Sequence, residues 1–502
     1  MNWKSSFLLL VVIASLSLAS CSGLNSVCTD CNSGNANVTI TIFDTPPTGT
    51  SVLSFSLPIV GISLTPSSGS PVSVYSPTSV QPTELTHLVS DSALLVSKAS
   101  VASGNYTSLS VTIAATSGIF INTSGSGITY KLNGSNTTCA NGGVCNLPAG
   151  AATTVNVPIT LNLNNNQNQW IGLDVNLNNA ITSTGGISVD FTLANVFTAT
   201  TTAKTGLPSG AVDLIEDSTG KVTALSNSSI TVQNSITGQS LTAAVVSGSS
   251  TNTLLNVAPS SYSGCTSSNP AACIAVGSIV SLNAILASDG TLTATEIDGL
   301  NVTAIDEIEG VIYPVSQQPG VVGLILLDKT SASGNSVLAA STFGTAFQLD
   351  ATSNNVTFNV DTGPLTNAIG TNPPGFAGTG SLLAGQVVRV QVSNVKVVNN
   401  LNTATAINVL LRWSRISASV NTTGGNAFTL TGIPTYISTL NNSASVPLTP
   451  QVNTYPNYTA FDGVSNAQGL TTGPVAIRAL FLDVGPGGGA LYSFQAAKVR
   501  VP

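Results

Sequence analysis

The chain has 502 residues, of which 7% are charged and 42% apolar, with a formal charge of −7 and a single histidine. At about one domain per 150 residues that length holds three or four cores, and its surface must be covered mostly by hydroxyls and amides. There is no basic cluster to neutralise phosphates, which argues against a nucleic-acid partner, and one histidine rules out an H-E-x-x-H zinc helix.

Residues 1–20 read as a signal peptide: Lys4, then an apolar run from Phe7 to Leu18 too short and wrongly flanked for a transmembrane span. Small Ala19 and Ser20 precede Cys21. Leu18-Ala19-Ser20-Cys21 resembles the lipobox of bacterial lipoproteins, which implies cleavage before Cys21 and acylation of its thiol. The expected partner is then the lipid bilayer, through an N-terminal acyl anchor. The alternative is an ordinary signal peptide with an incidental Cys21. Ser22, rather than Asp, agrees with release to an outer membrane where that sorting rule applies. Later apolar runs such as Val321 to Leu327 are of strand length.

Seven cysteines less Cys21 leave an even number. They fall as close neighbours, Cys28 with Cys31, Cys139 with Cys145 and Cys265 with Cys273, which favours local disulfides while leaving other connectivities open. Cys28 and Cys31 also have redox C-x-x-C spacing. They lie, however, in a Ser/Asn/Gly tether over residues 21–36 rather than between a strand and a helix, so a passive clip is the preferred reading.

Val38 to Ile42 alternates as a half-buried strand should, and Asp44-Thr45-Pro46-Pro47 stops it. Leu109 to Ile113, Val155 to Leu163, Ile171 to Leu177 and Ile187 to Leu193 read as further strands, with Gly, Asn, Pro and Ser turns between them. Only Pro82 to Val96 breaks the pattern. There Thr83 is expected to cap one or two helical turns running to Leu88 and including His87. Short strands at such spacing imply an antiparallel β-sandwich over residues 37–200.

That region resembles a family of bacterial lipoproteins known only as a domain of unknown function. The resemblance rests on Phe43-Asp44-Thr45-Pro46-Pro47, on Glu84-Leu85-Thr86-His87-Leu88, on the approach from Val101 to Leu109, and on Ile171-Gly172-Leu173-Asp174-Val175. The Gly104-Asn105-Tyr106-Thr107 element is similar to one in transthyretin-like and carboxypeptidase-regulatory sandwiches. The family has no established activity, so the resemblance implies fold and location only.

Residues 198–210 form a linker by composition. Three blocks follow, 211–304, 305–412 and 413–502, each opening on an alternating hairpin and closing on another. Ser288-Asp289-Gly290 and Asn399-Asn400 are hairpin turn signals. A period near one hundred residues exceeds that of solenoid repeats, so each block is expected to be its own small β-barrel with few contacts to the next. The blocks resemble a second uncharacterised bacterial family of tandem OB-like barrels. The fold class is all-β: one sandwich and about three small barrels projecting outward.

Chemistry is sparse. His87 is expected to be a partly exposed structural residue. Gly485 to Gly489 joins two strands rather than opening a helix, so it is a hairpin loop and not a phosphate cradle. Glu296, Asp298, Asp306, Glu307 and Glu309 cluster near a block junction, where they either hold calcium or end strands as solvated charges. No catalytic, cofactor or metal set is assigned. The expected role is that of an exported, membrane-anchored structural or adhesive lipoprotein of the cell envelope, not an enzyme. An envelope protein or a glycan is a possible partner. The alternative is an extracellular glycan-binding lipoprotein that stacks sugars on Tyr455 and Tyr458.

Overall fold

The computed structural model describes residues 34–45, 51–77, 80, 82–182, 187–203, 205–235, 237–247, 253–257, 268–272, 274–301, 305–315, 318–440, 450–483 and 492–501. Cys21, Cys28, Cys31, Cys265, Cys273 and the Gly485–Gly489 loop lie outside them.

Residues 35–200 form two facing sheets. One has the order Phe197–Thr200, Asn168–Asn176, Asn35–Thr45, Ala93–Ala102. The other has the order Val144–Asn146, Ser117–Ile121, Val52–Pro66, Gly104–Ile113, Thr153–Leu163. Pairing within them is antiparallel except between Asn35–Thr45 and Asn168–Asn176. Alternation turns Val38, Ile40 and Ile42 of the first sheet into one core with Phe55, Leu109, Val111 and Leu163 of the second. Tyr106 enters that core after Gly104, and its hydroxyl donates to the Ala102 carbonyl at 2.8 Å. Cys139 and Cys145 are joined in a disulfide that ties strand Ser135–Cys139 to the sheet edge at Val144–Asn146.

Several expectations change here. The Asn35–Thr45 strand is buried on both faces, because the first barrel covers the outer one: Thr41 is buried and donates to Asp213 at 2.7 Å. Of Ile187 to Leu193 only Ser188–Val189 pairs, with Ile181–Thr182, while Phe191 fills the core from a loop. The turn at Leu85–Leu88 is a 3-10 helix capped by Glu84, not Thr83. The Glu84 carboxylate also accepts from Ser54 and the Phe55 amide, and these bonds outbid a hydroxyl cap. Strand Phe197–Thr200 takes the first residues of the expected linker.

Each of the three blocks builds a six-stranded sheet of one order. The first runs Ser240–Ala244, Ser229–Asn234, Ala211–Leu225, Ile279–Ala287, Leu292–Asn301, Leu254–Val257. The second runs Ala346–Asp350, Val321–Thr330, Glu307–Pro314, Val387–Val398, Leu401–Arg412, Thr357–Val360. The third runs Gln451–Asn453, Ala427–Thr431, Ser414–Gly424, Gly473–Asp483, Tyr492–Arg500, Ala460–Asp462. In each, the first-named strand also pairs in parallel with the fifth-named, which draws five strands into a ring and removes two exposed edges. The Asn399-Asn400 turn has positive φ at both residues, as a two-residue hairpin requires, whereas at Asp289-Gly290 only the glycine does.

The barrels do not project separately, and contacts between blocks are extensive. Along Gly473–Asp483 successive residues serve different cores: Ile477, Ala479 and Phe481 that of the third barrel, Leu480 and Leu482 that of the second. Leu53 and Ile121 of the sandwich join the third barrel's core, and Leu94 and Trp170 join the first barrel's. Strands apolar on both faces need cover on both, and neighbouring modules supply it. Leu480→Ala is expected to cost about 2–5 kcal/mol and to speed amide exchange in Val387–Val398 as well as in its own strand. Exchange raised in Gly473–Asp483 alone would show that the barrels unfold separately.

Candidate functional site

The scarce charges converge on one place. All five arginines have side chains no more than 4% exposed, and together with Lys498 they meet nine carboxylates from every module, eight of them buried and Glu216 partly so. Arg389 bonds Glu307 at 2.7 Å, Asp328 at 3.1 Å and Glu309 at 3.2 Å. Arg412 reaches Glu309 at 3.7 Å and pairs with Asp361 and with Asp217 of the first barrel. Arg415 bridges that Asp217 to Asp91 of the sandwich. Arg478 and Lys498 both hold Glu216, and Arg500 bonds Asp462 at 2.6 Å and the Asp91 carbonyl at 2.8 Å.

Strand register explains the convergence. Glu309 and Arg389 are direct cross-strand partners in the second barrel, as are Arg415 and Arg478 in the third. In the first barrel the Asp217 amide donates to Asn283 at 2.6 Å. Corresponding strands thus offer acid from the first barrel, a mixed pair from the second and two cations from the third. Directly opposed like charges repel. Arg415 and Arg478 are tolerated because Asp91, Asp217 and Glu216 arrive from outside their barrel. Burial opposes ionisation of Asp217, yet Arg412 and Arg415 hold it well below the usual carboxylate range. Asp91 is likewise lowered by Arg415 and Arg478 against its burial. Arg389 stays above its ordinary value despite burial, through Glu307, Asp328 and Glu309.

The sandwich contributes its 3-10 turn. His87 is buried, not partly exposed, and neither ring nitrogen makes a hydrogen bond among the described residues. Burial first, and then the Arg415 guanidinium, push it down to about 4, with Glu309, Asp217 and Asp91 opposing. It is therefore neutral near pH 7. Among the described residues no hydroxyl or thiol is bonded to it.

The acidic cluster is not a set of solvated strand ends. Glu296, Asp298, Glu307 and Glu309 are buried, the last two facing Arg389, while Asp306 bonds Ser333. Tyr455 and Tyr458 separate: the Tyr455 hydroxyl is tied to Gln495, while Tyr458 is 38% exposed. Trp170 and Trp413 are buried. The ion network itself was missed in the sequence. Its signal was present, since Arg389, Arg412 and Arg478 each interrupt an aliphatic strand.

Arg412→Leu strips Asp361 of its counter-charge and Asp217 and Glu309 of one of theirs, and urea denaturation is expected to register a loss of about 3–5 kcal/mol. A loss below about 1 kcal/mol, the scale of surface pairs, would refute the tight pairing. For His87 the folded value lies below the free value of 6.5, so its contribution is complete above pH 6.5 and fades as pH falls toward 4, by up to about 3 kcal/mol. Asp44, Glu84, Asp213 and Glu296 are raised by burial and act in the opposite direction. The readout is therefore the melting temperature of wild type minus that of His87→Leu, which should fall between pH 6.5 and 4; a flat difference would exclude the histidine.

Residues 35–194, which span most of the sandwich, match the family described as a domain of unknown function, DUF4382. No curated protein matches the chain.

Proposed function

We propose that the chain is an exported lipoprotein, anchored by acylated Cys21, that serves a structural or adhesive role in the cell envelope. The observation that carries this reading is the fate of its charges. Every arginine is spent as an internal counter-ion, which leaves an exterior of Ser, Thr, Asn and Gly. Such an exterior suits a passive surface module. The lipobox supports the anchor, and among the described residues no helix is long and apolar enough to cross a membrane. Tyr106, with its hydroxyl on the Ala102 carbonyl, supports the transthyretin-like comparison. The ring order first, second, third, fifth, fourth strand supports the OB-like one.

A second reading, glycan binding, is favoured by one observation: Tyr458 lines a cleft while Tyr455 anchors its turn.

Cys21→Ser tests the anchor. The variant is expected to remain uncut by lipoprotein signal peptidase, to take up no palmitate analogue and to leave the detergent phase. Unchanged detergent partitioning would sink the proposal.

A further inference from the structure

We propose that the cleft between the first and third barrels binds a neutral saccharide, with Tyr458 as the stacking platform. The inference deepens the glycan-binding reading and rests on it. The cleft measures about 390 Å³, within the range of small-ligand sites. Leu254, Phe461 and Tyr458 give it an apolar side, and Glu216, Glu296 and Arg478 a polar one. A pyranose needs both, since its C–H face stacks on an aromatic ring while its hydroxyls seek hydrogen-bond partners.

The platform is held before any ligand arrives. The Tyr458 and Thr459 amides both donate to the Tyr455 carbonyl, at 3.0 and 2.9 Å. Thr459 Oγ1 donates to the Ala496 carbonyl at 2.7 Å, and Asn457 makes the reversal at φ 70°. A ring presented by so constrained a turn loses little freedom on binding.

On the polar side Arg478 lies over the Trp413 ring, 5.3 Å from its centroid, and donates through Nη2 to Glu216 at 3.3 Å. Its Nη1 makes no hydrogen bond among the described residues although the side chain is 1% exposed. A donor thus stands beside the Glu216 carboxylate acceptor, the pairing that adjacent sugar hydroxyls complement. Glu296 is bonded by Asn283 at 2.7 Å, and burial, then Asp298, raise it well above the usual carboxylate range. Arg478 and Lys498 are both already paired with Glu216, and with the Glu296 carboxyl also lining the cleft a phosphate or other anion is disfavoured, which is why the ligand is assigned as neutral.

The test uses the detergent-solubilised full chain with maltotriose, cellotriose and chitotriose, three neutral probes that differ in linkage and substituents. Saturation-transfer NMR is expected to detect at least one of them. Tyr458→Ala should weaken that binding at least about tenfold, and Tyr458→Phe should retain it. The melting temperature of Tyr458→Ala should match wild type because the ring is exposed, so lost binding is not misfolding. Binding of a probe that is insensitive to Tyr458→Ala overturns this site but leaves the glycan reading standing. Binding of none of the three overturns both.

Discussion

Four modules meet on one buried ion network, and the docking of each depends on the charges of the others. Removing an ion from water costs several kcal/mol even after relaxation, and pairing offsets this only where geometry and extra hydrogen bonds are good. Such a network adds little net stability over an apolar core of the same volume. Its effect lies in what it forbids. The third barrel carries Arg415 and Arg478 face to face, a pair that cannot be desolvated against a neutral neighbour. Asp217 and Glu216 on the first barrel and Asp91 on the sandwich meet that requirement together. On these terms apolar burial drives the modules together and the ions select the arrangement.

The same concentration of charge shapes the exterior. Only 7% of the chain is charged, and a large share of it lies at the module junctions. Long-range steering of a charged partner is weak for such a surface. On the proposed glycan-binding reading, recognition falls to hydroxyls, amides, carboxyls and the rare exposed ring, the groups that line the cleft between the first and third barrels.

The strands and their turns were legible because they depend on local rules. Asn399-Asn400 predicts a two-residue hairpin from its tolerance of positive φ, and Gly104-Asn105-Tyr106-Thr107 delivers a buried tyrosine. Burial was less legible, because it depends on what lies opposite. Val38 to Ile42 has the alternation of a half-exposed strand, yet its polar residues Thr39 and Thr41 are buried under the first barrel, where Thr41 meets Asp213. His87 gave the same kind of error: a lone histidine in a polar turn reads as exposed until three barrels close over it. Tyr455 and Tyr458 are nearly adjacent and chemically alike, and only the fold decides which ring is tied down and which is offered.

The three barrels share one strand order, and this sharpens the role of their unlike charges. Repeated barrels with identical charged faces would either repel one another or pair equally well with the same face on a second chain. Here the corresponding strands carry Asp217 beside Asn283, Glu309 beside Arg389, and Arg415 beside Arg478. Acidic, mixed and basic faces satisfy one another only when all three come together, and the sandwich closes the set with Asp91. A misdocked barrel would bury a charge without a partner, which is strongly destabilising. Repetition supplies the scaffold, and the divergence of a few strand residues in sign gives each copy one place in it.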